Sequence, residues 1–575
     1  MKRRLAVLLS IVGPIWVLAT YAQGAPGPQD AQEGQATFSV VEASIPEIQR
    51  ALADGRVTSR QLVEQYLARI ALYEWQLRGT LAVNRDAPAQ ADRLDAERRA
   101  GNLLGPLHGI PIALKDNIHT VDLPTTGGAI AFEGFVPPYE ATIVENLQRA
   151  GAIILAKTTL TELANWVATG MPDNYNALRG YGMNPYDPRR DPREGLDDGR
   201  PVMSPGGSSS GIGTAVSFWA GSVGTQTSGS LLIPSNNNML VGIDPTIGRL
   251  SRHGIIPITM DQDSAGPMTR TVAGAAILLG AMENPTDTDP NDPAIGACEP
   301  VPDHDYTAFL DADGLEGARI GIPRAFYYEA VTPPGASESR GGLSPEAAAL
   351  MDEAIAVLEA EGAVIVDPAV IPSHLATDPD DNQLLFGNCY DTQVRGNDEN
   401  CSVVMKYGMK RDFNLWLESL GDSAPVPSLT ALREFNESHP QRNAIKYDQQ
   451  ELDFSDEMDV ERDRARYEAD RAKDLRLTRV EGIDAALRKD DLDALLLPSW
   501  AGEQLADKAG YPQIIVPFGT VPLQLDPPLP AGFDPAPMPF GVAFMGTACS
   551  EPELIRLAYA FEQATQRRMP PPGFP

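Results

Sequence analysis

A lysine that closes an apolar run raises the first chemical question. In Leu107-His108-Gly109-Ile110-Pro111-Ile112-Ala113-Leu114-Lys115-Asp116-Asn117-Ile118, residues 110–114 read as a buried strand that carries Lys115 inward. There a lysine must lose its charge or pair with a carboxylate such as Asp116. Two glycine- and serine-rich segments follow: Pro205-Gly206-Gly207-Ser208-Ser209-Ser210-Gly211 and Gly224-Thr225-Gln226-Thr227-Ser228-Gly229-Ser230. Each alone reads as a flexible loop. Neither carries the Lys-Ser/Thr ending of a phosphate-binding P-loop. Residues 207–211 also fit G-x-S-x-G with Ser209 central, and His253, His304, His374 and His439 lie downstream as bases for a Ser-His hydrolase. That elbow needs a strand before it, whereas residues 193–204 are charged or turn-forming.

The elements that must hold these residues are helices alternating with short apolar runs. Ser44 and Thr58 look like helix caps, each followed three residues on by Glu47 or Gln61; the first helix should stop near Gly55. Leu62, Tyr66, Ile70 and Tyr73 then mark one face of the second helix. Runs at 110–114, 152–156, 320–322, 363–366, 494–497 and 514–516 predict strands of a mostly buried sheet, hence an α/β fold. Residues 172–203 and 373–460 fall outside this rhythm and read as excursions. Within the first, Arg189, Arg190, Arg193 and Arg200 alternate with Asp187, Asp191, Glu194, Asp197 and Asp198, as in a solvated loop.

Composition narrows the partners. The 575 residues carry a formal charge of −32, which repels phosphates and excludes nucleic acid as a general partner. Lys2, Arg3 and Arg4, an apolar run to Leu18 and small residues to Ala25 form the three-part layout of a signal peptide, with a cut expected after Ala22. Residues 23–40 then form a polar tether, and the protein is expected to be exported, periplasmic or extracellular, with no stable membrane span after processing. The four cysteines lack zinc-site spacing. Export permits disulfides, and Cys389 and Cys401, flanking one polar loop, are the expected pair.

The Lys115 segment, the Gly-Gly-Ser-Ser-Ser-Gly run and the Gly-Thr-x-Thr-x-Gly-Ser run, in this order, resemble the amidase signature family. The similarity extends through Asp244-Pro245-Thr246-Ile247-Gly248-Arg249 and Asp261-Gln262-Asp263-Ser264-Ala265-Gly266-Pro267, and returns at Gly510-Tyr511-Pro512 and Pro539-Phe540-Gly541. It covers roughly residues 41–285 and 490–568 of a domain placed at 41–570. The resemblance implies one large α/β domain, a twisted mixed sheet covered by helices on both faces, with 373–460 helping to roof the site.

It further implies a Ser-cis-Ser-Lys triad with Ser230 as nucleophile, Ser208 as bridge and Lys115 as base, and no cofactor or metal. Residues Thr227, Ser228, Gly229 and Ser230 would supply oxyanion-hole N–H groups, with Ser209 and Gln226 in support. The substrate class is a small amide, carbamate or peptide amide. Three departures stand out. The stretch from Ser208 to Ser230 is two residues short, with the deficit falling in an expected helix at 215–221. Gln226 replaces a usual acidic residue, which would weaken the loop's anchoring. Leu232 stands where several relatives carry arginine, removing an anchor for anionic substrates. A solute-binding protein would match the charge and fold class, but would need neither the strand-end lysine nor the paired glycine-serine loops.

Overall fold

The computed structural model describes residues 38–207, 211–283, 288–390 and 399–575. The expected signal peptide, almost all of the tether, and Ser208, Ser209 and Ser210 therefore lie outside the described residues. Both capping patterns form as read. Ser44 caps α1 (Ile45–Ala53) and Thr58 caps α2 (Ser59–Leu77), each with the reciprocal bond from Glu47 or Gln61. Such caps satisfy N–H groups that the first turn leaves without partners, each contributing about 1 kcal/mol.

An 11-stranded mixed sheet forms the core. Its strands are β1 (Thr80–Val83), β2 (Pro111–Lys115), β3 (Ile153–Thr158), β4 (Ser222–Gln226), β5 (Val241–Asp244), β6 (Ser264–Thr269), β7 (Arg319–Gly321), β8 (Val364–Val366), β9 (Ala494–Pro498), β10 (Gln513–Val521) and β11 (Met538–Met545). They lie in the order β1-β3-β2-β4-β6-β5-β10-β11-β9-β7-β8. All six apolar runs became strands. Helices flank the sheet: α5 (Val272–Met282), apolar on all sides and almost wholly buried, packs on β5 and β6, and α8 (Glu551–Thr565) packs on β10 and β11. The expected α/β architecture is the one found.

Two local expectations are corrected. The charged stretch near 187–200 is a solvated loop only in part: Arg189, Arg190, Glu194, Asp197 and Asp198 are exposed. Asp187 and Asp191 are buried and bonded to Arg189 and Arg193, two residues on. Arg200 likewise pairs with Asp198, and Asp187 also accepts the N–H of Ala536. The segment is thereby stitched to the chain beyond β10. The expected helix at 215–221 is also absent. Helical structure occupies α3 (Gly211–Ala215) instead, and the Phe218 N–H then folds back to donate to the Gly213 carbonyl. The Trp219 ring lies against Gly213, where a Cβ would sit 2.1 Å from it, and its indole N–H donates to Thr214.

The cysteines form two disulfides. Cys389 bonds to Cys401, as the loop suggested, and Cys298 bonds to Cys549 across 251 residues.

Candidate active site

Three adjacent strands build the site. β2 runs parallel to β4, with Ala113 opposite Ser222 and Leu114 opposite Val223. β4 runs antiparallel to β6, with Gln226 opposite Ser264. This register brings Lys115, at the end of β2, beside Thr225 on β4, and brings Asp263 beside the turn that leaves β4. Lys115 is completely buried. Its Nζ donates to the Thr225 carbonyl at 3.2 Å and to Thr225 Oγ1 at 2.7 Å, and Asn117 Nδ2 bonds the same hydroxyl at 3.1 Å. Burial lowers the Lys115 ammonium to about 7, against an opposing pull from Asp263. A lysine of that kind can act as a base near neutral pH. Asp116 does not neutralise it; that carboxylate instead bonds Thr126 and pairs with the buried Lys157.

Residues 227–230 form the turn between β4 and α4 (Leu232–Asn237). Gly229 has φ +80°, and a Cβ there would lie 2.6 Å from Ile233, so the position requires glycine. Thr227 Oγ1 donates to Asp263 at 2.5 Å; burial raises that carboxyl to about 7. The Gly229 N–H donates to Asp507 of α7 (Glu503–Ala509) at 2.9 Å. The bond anchors the turn to that helix.

Gln226 does not weaken the turn. Its Nε2 donates at 2.8 Å to Asp244 and at 2.8 Å to Asp507, while its Oε1 accepts the N–H groups of Leu231 at 2.7 Å and Leu232 at 3.1 Å. Burial raises both carboxyls, and their mutual repulsion adds to the rise at Asp507. Only an amide can donate to two carboxyls and accept two N–H groups at once. We therefore expect Gln226→Glu, which removes both donated bonds and adds a third buried acid, to destabilise the fold by about 1–3 kcal/mol. Urea unfolding at pH 7 measures it, and an unchanged midpoint would contradict this anchoring.

The first of the two glycine-serine segments reaches the same turn. A Cβ on Gly207 would sit 3.0 Å from Ser230 Cα and 3.5 Å from its Oγ. The carbonyls of Gly206 and Gly207 both accept from Asn174 Nδ2 at 2.6 Å. Gly207, the residue before Ser208, is thus fixed against the nucleophile candidate.

Ser230 opens on a cavity of about 270 Å³, lined also by Ser228, Trp166, Tyr390, Met405 and Glu451. Tyr390, Met405 and Glu451 come from the 373–460 segment, which was expected to help roof the site. Ala164 and Asn165, which also line the cavity, belong to a run with Leu163 in which three successive non-glycine residues have φ of 45°, 58° and 72°, a strained conformation that the surrounding packing must hold. No histidine lines this cavity. His119 is buried, accepts from Trp416 and is lowered to about 3; His253 stacks on Tyr139; His304 bonds Glu283. Among the described residues no grouping of three His, Cys, Asp or Glu could hold a metal. No described helix is long and apolar enough to cross a membrane.

Sequence reasoning did not single out Asp507, Glu451 or Tyr390. Asp244 and Asp263 lay within the quoted motifs but without assigned roles.

Known proteins resemble this chain over nearly its whole length. The amidase family profile matches residues 61–555. A probable amidase of Arabidopsis thaliana is 34% identical over 543 residues, spanning 93% of this chain and 92% of that protein. Among solved structures, the native peptide amidase of Stenotrophomonas maltophilia matches with a TM-score of 0.74 at 34% identity, over 92% of this chain and 98% of that one. An amidase family protein of Bacillus anthracis matches with a TM-score of 0.75 at 28% identity, over 92% of each chain. Likeness that extends from α2 to α8, through every strand that shapes the turn around Ser230, has one meaning: this chain belongs to the amidase family.

Proposed function

We propose that the protein is an exported amidase that cleaves a linear carbon–nitrogen amide bond through an acyl-enzyme on Ser230, with Lys115 as base and Ser208 as relay. The observation that carries this reading is Lys115: fully buried, lowered to about 7, and bonded to Thr225 in the strand that ends at the Ser230 turn. Ser230 Oγ attacks the substrate carbonyl while its proton passes through Ser208 to neutral Lys115. N–H groups of the turn formed by Thr227, Ser228, Gly229 and Ser230 receive the developing oxyanion. Collapse breaks the C–N bond, and the same relay run in reverse protonates the leaving amine. Water then cleaves the Ser230 ester. Gly207 against Ser230 supports the Ser208 role, since Ser208 is the next residue.

The export part of the proposal rests on the leader-like start of the sequence and is supported by the pairing of Cys298 with Cys549 and Cys389 with Cys401, bonds that persist in oxidising compartments. Substrates are expected among small amides, carbamates and peptide amides.

Labelling with a serine-reactive fluorophosphonate, read by peptide mapping, tests the nucleophile. A single adduct on Ser230 is expected. An adduct on Ser209 would point to a different hydrolase, and none at all to a binding protein on an amidase fold.

A further inference from the structure

Glu451 sits on α6 (Gln450–Asp456) and lines the Ser230 cavity. It is 6% exposed. Its Oε2 has no hydrogen-bond partner, and no cation pairs with it among the described residues. A carboxyl so placed is costly unless something completes it. It is held there by its own backbone: the Glu451 N–H donates to Val167, and its carbonyl accepts from Ser455 Oγ, which in turn receives the indole N–H of Trp166. The cavity wall is therefore tied to Glu451, and the side chain does not contribute to that tie.

The rest of the lining says what would complete it. Among the described residues that line the cavity, Glu451 is the sole Asp, Glu, Lys or Arg. Trp166 and Tyr390 face the same space with ring centroids 5.4 Å apart. A carboxylate beside two aromatic rings is a set that receives an ammonium, by charge and by cation–π attraction. Leu232, in place of a cationic anchor, is fully buried and offers nothing to an anion.

We infer that the cavity beside Ser230 selects amides bearing a protonated amine, with Glu451 receiving the ammonium group. This rests on the Ser230 amidase assignment for its catalytic part only. Burial raises the Glu451 carboxyl to about 8, so the arriving cation favours its ionised form and releases a proton.

Two measurements on the intact protein separate this inference from that assignment. In calorimetric titration, hexylammonium should bind at least about tenfold more tightly than hexan-1-ol, and Glu451→Gln should erase the difference. In turnover, primary amides ending in an ammonium are compared with methyl-ended amides of equal length. The ratio of their kcat/KM should favour the ammonium and fall by about tenfold or more in Glu451→Gln. If that variant fails to fold, Glu451→Asp keeps the charge with a shorter reach and should shift the preference to a longer substrate. Equal binding of the two hexyl probes to the wild type, or an undiminished ratio in Glu451→Gln, overturns the inference. Hexylammonium binding without turnover of any amide would instead sustain it and remove the amidase assignment.

Discussion

Ser230→Ala is expected to lower amide turnover by about 10⁴-fold or more, to abolish fluorophosphonate labelling at that position, and to leave the fold in place. The size follows from what is lost: without the hydroxyl no acyl-enzyme forms, and only binding and oxyanion stabilisation remain. The small structural cost follows from the turn, whose conformation is set by other groups. Gln226 holds Leu231 and Leu232, Asp507 holds Gly229, and Asp263 holds Thr227. Deleting one hydroxyl should therefore cost about 1 kcal/mol or less in unfolding free energy. The paired measurement is kcat on a turned-over amide together with the urea midpoint. A variant that retains substantial kcat would remove Ser230 from the chemistry. One that loses kcat only by unfolding would leave its role undetermined by activity, and labelling of the folded wild type would then decide.

The contrast between what was legible in the sequence and what was not has a physical basis. Lys115 was legible because a strand of Ile, Ala and Leu makes its own burial obvious, and a charge at its end is an anomaly that periodicity exposes. β4 was not, although it carries the approach to Ser230. Ser222, Gly224, Thr225 and Gln226 resemble a loop, yet every residue of the strand is buried. Polar side chains can occupy a central strand only when each finds partners, and those partners come from distant segments: Thr214 for Ser222, Lys115 and Asn117 for Thr225, Asp244 and Asp507 for Gln226. Glu451 was not legible for a different reason: it is one of many acids in a region, 373–460, that reads as an excursion from the sheet. Cys298 and Cys549 show the limit most simply. Proximity in the chain suggested Cys389 with Cys401, while a pair 251 residues apart becomes visible only when the sheet places both ends together.

Lys115→Met separates the function of the buried lysine from its cost. The side chains are of similar length, so packing around β2 is kept, while the base is lost; kcat/KM should fall by about 10²–10⁴-fold. In the wild type, the neutral form of Lys115 is the active one. Rate should therefore climb with pH and level off above an apparent pKa near 7, a value shared with the neighbouring Asp263, which titrates in the same range. Asp263→Asn removes the attraction that opposes burial and should move this acid limb to lower pH. Stability should also rise with pH, but over a higher window. In the unfolded chain the lysine titrates at its ordinary value of about 10.4, and in the folded one at about 7. Between those values the unfolded state binds the additional proton, so lowering the pH through this window destabilises the wild type. Methionine carries no such proton. The Tm of Lys115→Met should exceed that of the wild type by a margin that grows from about pH 10 to about pH 7 and is constant below it. A margin independent of pH would mean that Lys115 keeps its charge when folded, held by Asp263, and a lysine so held could not serve as the base.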